Sequence, residues 1–172
     1  MNRKDVTISS PIEKKIAWAE ECYRTSGNRL LEDRRIAELL SKVKAAVEQS
    51  RSAMMETEMV DVCRRCEMEE GGSCCGLGME DKYDDGLLLM NLLMGLTLPK
   101  KRWDERSCYF LADTGCLLKV RHVICVNYIC KKITDRVKPE ELKALKEKEG
   151  LELDAVFVLH EELRRKLKDG GH

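Results

Sequence analysis

The sequence predicts an all-α chain in which a helical hairpin leads into an irregular cysteine-rich core, with further helices at the C-terminal end. Three observations carry that expectation. Charged residues make up 36% of the chain and aromatics only 5%, which is the composition of amphipathic helices and not of sheets. Apolar residues recur at helical spacing on both flanks. Eight of the nine cysteines crowd between residues 63 and 130. At 172 residues the chain is long enough for one domain with its own core. One compact domain is therefore expected, with an N-terminal helical segment 1–60, a cysteine-cluster segment 61–136 and C-terminal helices 137–172.

The elements follow in order. Ser10, Pro11 and Glu13 read as a helix start, in which the Ser hydroxyl caps, Pro fits the first helical position and Glu reaches back to the cap amide. That helix is expected to end near Gly27, and a second to begin near Asn28. In the second, Ile36, Leu40, Val43, Val47 and Met54 recur at steps of three, four or seven with charges between them. Packing of this stripe within the chain, and hence a monomer, is favoured over a homodimer seam, because helical hairpins are cheap to close and coiled-coil heptads persist longer. Composition changes at Asp61, where Cys, Gly and acidic residues replace long-helix chemistry.

Leu87 to Leu98 is the longest apolar run, interrupted by Asn91, Gly95 and Thr97. It is well short of the ~20 residues that cross a bilayer, so it reads as a buried helix. Pro139 with Glu140 and Glu141 starts a further helix that Gly150 should end, and Asp154 is expected to cap a last one with Val156, Leu159, Leu163 and Leu167 on one face.

Formal net charge is zero, which gives no overall electrostatic case for nucleic acid or an acidic membrane. Residues 61–90 carry three basic and eight acidic groups, and residues 91–138 carry ten basic and four acidic. The simplest account is that these charges solvate helix faces and attract each other within the fold. The N-terminal residues have no apolar stretch of signal-peptide type, so a cytoplasmic location is expected. Disulfides do not persist in that compartment, and an odd number of cysteines cannot all pair within one chain. Metal ligation is the better explanation, and it makes the middle segment a metal-stapled core.

The candidate ligands are Cys63, Cys66, Cys74 and Cys75, then Cys108, Cys116, Cys125 and Cys130. The CxxC pair Cys63 and Cys66 places two thiolates on a tight turn facing one soft cation. No second CxxC follows; the other gaps are seven, seven, eight and four residues, with one adjacent pair. Cys74 and Cys75 point in different directions in regular backbone. They suit either two centres or a multi-iron cluster approached by an irregular loop. Gly71, Gly72, Gly76 and Gly78 around them permit the close approach such a loop needs, and backbone amides there can donate to cluster sulfur; ordinary turn formation explains these glycines equally well.

The order CxxC, CC followed by Gly, C with FL, GC with an aliphatic residue, then Arg and two further cysteines resembles the YkgJ-type cysteine-cluster family, described as zinc- or iron-chelating proteins. The resemblance covers about residues 63 to 130. It implies the eight cysteines as ligands and matches Arg121 to the family's arginine, while His122 stands where that family has proline. Smaller expectations attach to other residues. His122 is expected as an ordinary core or surface histidine, the methionines as adaptable core filler, and Cys22 as a buried small hydrophobe.

No phosphate loop, HExxH, dinucleotide fingerprint or GxSxG is present. An unaided hydrolase or kinase is thereby disfavoured. The expectation is a metal-binding protein holding an iron–sulfur cluster, 4Fe-4S preferred, for electron transfer, sensing or cofactor handling. The alternative is a zinc-stabilised interaction module without catalysis of its own. Its protein partner is not specified by the sequence. Gly72, Gly76 and Arg121 are the residues expected to support the centre.

Overall fold

The structure, a computed structural model, describes residues 6–69 and 74–169. It is mostly helical, with one two-stranded sheet. In order, the elements are α1 (Ile12–Glu32), α2 (Arg34–Glu56), α3 (Met59–Glu69), a 3-10 turn at Met79–Lys82, α4 (Asp85–Leu93), the hairpin β1 (Leu111–Ala112) and β2 (Gly115–Cys116), the short α5 (Val123–Asn127) and α6 (Lys131–Thr134), and α7 (Pro139–Asp169). Among the described residues no helix is long and apolar enough to cross a membrane.

The first two helices differ from expectation at their ends. Pro11 occupies the cap of α1 without a side-chain bond, because the Ser10 hydroxyl accepts instead from the Thr7 amide at 3.0 Å. Gly27 lies inside α1, where a Cβ would stand 2.9 Å from the Tyr23 ring. The break falls at Asp33. One carboxylate oxygen of Asp33 accepts from the Ile36 amide at 3.1 Å, and the other pairs with Lys166 of α7. A side-chain cap of this kind is worth ~1 kcal/mol and fixes where the chain turns.

The apolar stripe of α2 is covered within the chain. Ile36, Leu39, Val43 and Val47 are buried in the main core with Leu159, Leu163 and Leu167 of α7. α2 packs on α1 and far more extensively on α7, while α1 lies along α4. The C-terminal helix corrects the sequence reading: one unbroken helix runs through Gly150. Leu145, Glu149, Glu152, Val156, Leu159, Leu163 and Leu167 are all buried, and their spacing of three or four keeps one face in phase across the glycine. A glycine inside a helix costs ~1 kcal/mol, less than two buried leucines return at ~1.5 to 3 kcal/mol each.

Asn91, which interrupts the apolar run of α4, is completely buried. Its amide donates to the Val120 carbonyl at 2.9 Å and to the Leu87 carbonyl at 2.9 Å. Its oxygen accepts from the amides of Lys119 and Val120 at 2.8 and 3.0 Å. A polar side chain thus does for residues 119–120 what a neighbouring strand would do, and it carries the chain up to Arg121.

His160 of α7 meets Asp84, the cap of α4, at 2.9 Å. The hydrogen bond to Asp84 holds the imidazole above its usual range against the opposing effect of burial. A pKa raised by folding stabilises fully below the unfolded value of about 6.5 and loses that contribution as pH rises through the folded value. His160→Gln should therefore lower denaturation stability by ~1 to 2 kcal/mol at pH 5.5 and by clearly less at pH 8.5. Equal losses at the two pH values would count against this contact.

Candidate metal centres

None of the nine cysteines is joined in a disulfide. The backbone gathers eight of them into two neighbourhoods, and the division differs from their order in the sequence.

The inner neighbourhood is built around residues 75–77, which run antiparallel to 106–108. Cys108 donates its amide to the Cys75 carbonyl at 2.6 Å, the Leu77 amide reaches the Arg106 carbonyl at 2.9 Å, and Gly76 bridges Ser107. Cys108 feeds directly into the hairpin, where Leu111 pairs with Cys116. Gly115, at φ 103°, permits the tight reversal between the strands. Cys125 lies on α5, beside the buried Tyr83 hydroxyl at 3.7 Å from its sulfur. That hydroxyl also accepts the His122 amide at 3.0 Å, so Tyr83 ties the start of α5 to the core. Cys108 belongs to the main hydrophobic core, and Cys75, Cys116 and Cys125 pack against it.

The outer neighbourhood joins Cys63 and Cys66 on α3 to Cys74 and to Cys130, the cap of α6. The CxxC pair sits on a helix and not on the expected tight turn; a spacing of three puts both thiols on one face. α6 packs on α3, and Lys132 donates to the Cys66 sulfur at 3.4 Å. Cys130 packs against a second, smaller core of Met59, Val62, Ile133, Val137 and Leu145. A cleft of about 240 Å³ between the two helices is lined by Val62, Arg65, Lys132, Asp135 and Arg136.

Electrostatics follow the same division. Burial pushes the Cys63 thiol up, and Cys130, Cys74 and Cys66 add to it. Burial does the same at Cys74, with Cys130 and Cys66 contributing. Cys108 is pushed up to about 12 by burial, with Glu80, Cys116 and Cys75 adding. At Cys125 burial raises the pKa against the Tyr83 hydrogen bond, and Cys116 raises it further. The leading thiol influences on each shifted cysteine come from its own neighbourhood. Thiols that oppose one another's ionisation stay protonated until a soft cation offsets the repulsion.

The donor chemistry, two sets of four thiols, fits thiophilic metal. Among the described residues no group of three or more Cys, His, Asp or Glu side chains is arranged to hold one ion. The sulfurs are brought into proximity and not into a closed shell.

The other candidates are placed as follows. Gly71 and Gly72 lie outside the described residues. Gly76 forms the bridge beside Cys75, and Gly78, at φ 90°, starts the 3-10 turn. Arg121 lies beside the inner set, lowering the Cys125 thiol pKa through its charge. His122 caps α5, its Nδ1 accepting the Ile124 amide at 3.2 Å. Cys22 is buried in the main core with Met90, in keeping with a small hydrophobe and a methionine filler.

Supporting residues that sequence reasoning did not single out are Tyr83, Glu80 and Arg51. Glu80 is buried and accepts from the Gly78 and Tyr109 amides at 3.1 and 3.4 Å. Arg102 pairs with Glu80 and donates to the Ser107 carbonyl at 2.5 Å, which fastens the Cys75 and Cys108 segments together. Burial works to raise the Glu80 pKa, but Arg102 and the amides hold it below the usual range. Arg51 donates to the Leu118 carbonyl from a position four residues beyond Val47. A charged residue in phase with an apolar stripe was the available signal. Comparison with family models, characterised proteins and solved structures gives no match to this chain.

Proposed function

We propose that the chain is a cysteine-cluster metal protein with two centres, an outer one on Cys63, Cys66, Cys74 and Cys130 and an inner one on Cys75, Cys108, Cys116 and Cys125. The observation that carries this reading is the separation of the adjacent Cys74 and Cys75. Cys74 is influenced by Cys130 and Cys66, whereas Cys75 is hydrogen-bonded to the Cys108 backbone and adds to the burial-raised pKa of that thiol.

Iron–sulfur clusters, 4Fe-4S preferred, are the favoured occupants. A multi-iron cluster spreads its cysteines over different irons and asks for a wider set than one ion does. When bound, such clusters supply one-electron chemistry. The chain's own residues would hold, bury and charge-balance the centres, which suits electron transfer, sensing or cofactor handling in the cytoplasm by a monomer that meets a protein partner. A zinc-stabilised interaction module is the second reading, favoured by the CxxC on α3; binding of order 10 kcal/mol makes structural zinc sufficient to fold an irregular core.

Anaerobic purification followed by iron, sulfide and zinc analysis tests both. Brown protein with iron and sulfide in equal amounts is expected. Zinc without sulfide would select the second reading, and protein that holds neither metal would contradict both.

A further inference from the structure

Behind the inner thiols, four ionisable side chains, two of them buried and two half-buried, share one patch between α2, residues 118–121 and α7. Arg51 comes from α2, Arg121 follows the segment held by Asn91, and Glu149 and Glu152 lie on the buried stripe of α7. Glu149 is matched by Lys146 at 3.1 Å. Glu152 is fully buried and approaches Arg121 only at 3.9 Å. Among the described residues, neither oxygen of Glu152 and neither Nε of Arg51 and Arg121 makes a hydrogen bond.

Guanidinium groups stay charged in proteins. Two of them against the single unmatched carboxylate of Glu152 leave one positive charge uncompensated in a patch largely withdrawn from water, a costly arrangement unless anions lie close by. The inner thiols are candidates. Arg51 is anchored on the carbonyl of Leu118, two residues past Cys116, and its charge interacts with Cys116. Arg121 acts in the same way on Cys125. A divalent cation or a 4Fe-4S core bound by four thiolates is a net anion, which supplies the missing negative charge.

We propose that Arg51, together with Arg121, is the built-in counter-charge of the inner centre, and that Glu152 competes with the thiolates for it. This rests on the two-centre reading above. It assigns the inner set to an anionic metal–thiolate centre and makes Arg51 a positioning residue for it.

The test uses cobalt(II) titration of the full chain, followed by thiolate-to-cobalt absorption, in a Cys66→Ser background that disables the outer set. Arg51→Met should weaken cobalt binding ~10-fold or more, and Arg51→Lys should restore most of the loss. Glu152→Gln should tighten binding, a gain that impaired folding cannot produce. An Arg51→Met protein of unchanged affinity, or a Glu152→Gln protein that binds no tighter, overturns the counter-charge while leaving the two-centre reading in place. A parent chain that takes up no cobalt, and no cluster on anaerobic reconstitution with iron and sulfide, overturns both.

Discussion

Replacing Cys75 by serine should destabilise the whole protein, whereas replacing its neighbour Cys74 should leave a folded chain that has lost only the outer metal. The two residues differ in what their thiols are attached to. Cys75 packs against the main core and is hydrogen-bonded through its carbonyl to Cys108, so an inner centre would tie together the hairpin, α5 and the segment before α4. Metal binding of order 10 kcal/mol exceeds the net stability of many domains, and its loss there is felt by everything packed around it. Cys74 is largely exposed, with its thiol only partly withdrawn from water, and its set joins α3 to α6 beside the smaller core. Losing it should loosen those helices locally while α1, α2, α4 and α7 keep their packing. Thermal unfolding of the two variants with metal analysis checks this; equal stabilities and equal metal contents would count against it.

Asn91→Leu should be nearly as damaging without touching a thiol. Leucine fits the volume but leaves the Val120 carbonyl and the amides of Lys119 and Val120 without the partners they have at 2.8 to 3.0 Å. Each buried orphan costs ~1 to 3 kcal/mol, so a loss of about 3 kcal/mol or more is expected. Residues 119–120 lead directly into Arg121 and the start of α5, so inner metal should fall in parallel while outer metal is retained. Denaturant unfolding together with metal content separates this from a general loss of folding.

What the sequence made legible was local. The stripe of α2 follows from spacing and the burial of α4 from its apolar run, and Asn91 was visible as an interruption before its bonds explained it. Gly150 misled because helix-ending propensity, ~1 kcal/mol, is a local quantity, and the buried stripe from Leu145 to Leu167 that overrides it exists only once α2 and the smaller core are in place. The cysteines show the same limit. Counting them in order pairs Cys130 with Cys125, but α6 packs on α3 and moves Cys130 to the company of Cys63 and Cys66. The different directions of Cys74 and Cys75 could be read from regular backbone geometry, yet which neighbours each would meet depended on the 75–77 and 106–108 pairing. Arg51, Glu149 and Glu152 look like solvated charges until their phase with the apolar stripes is noticed.

The central claim is the interleaving of the two sets, and metal content in two double variants tests it most directly. Cys66→Ser/Cys130→Ser removes two ligands from one proposed centre, so it should lose no more metal than Cys66→Ser alone and keep the inner half. Cys66→Ser/Cys125→Ser strikes both centres and should hold almost none. A first double variant as empty of metal as the second would restore the grouping by sequence order and contradict the account.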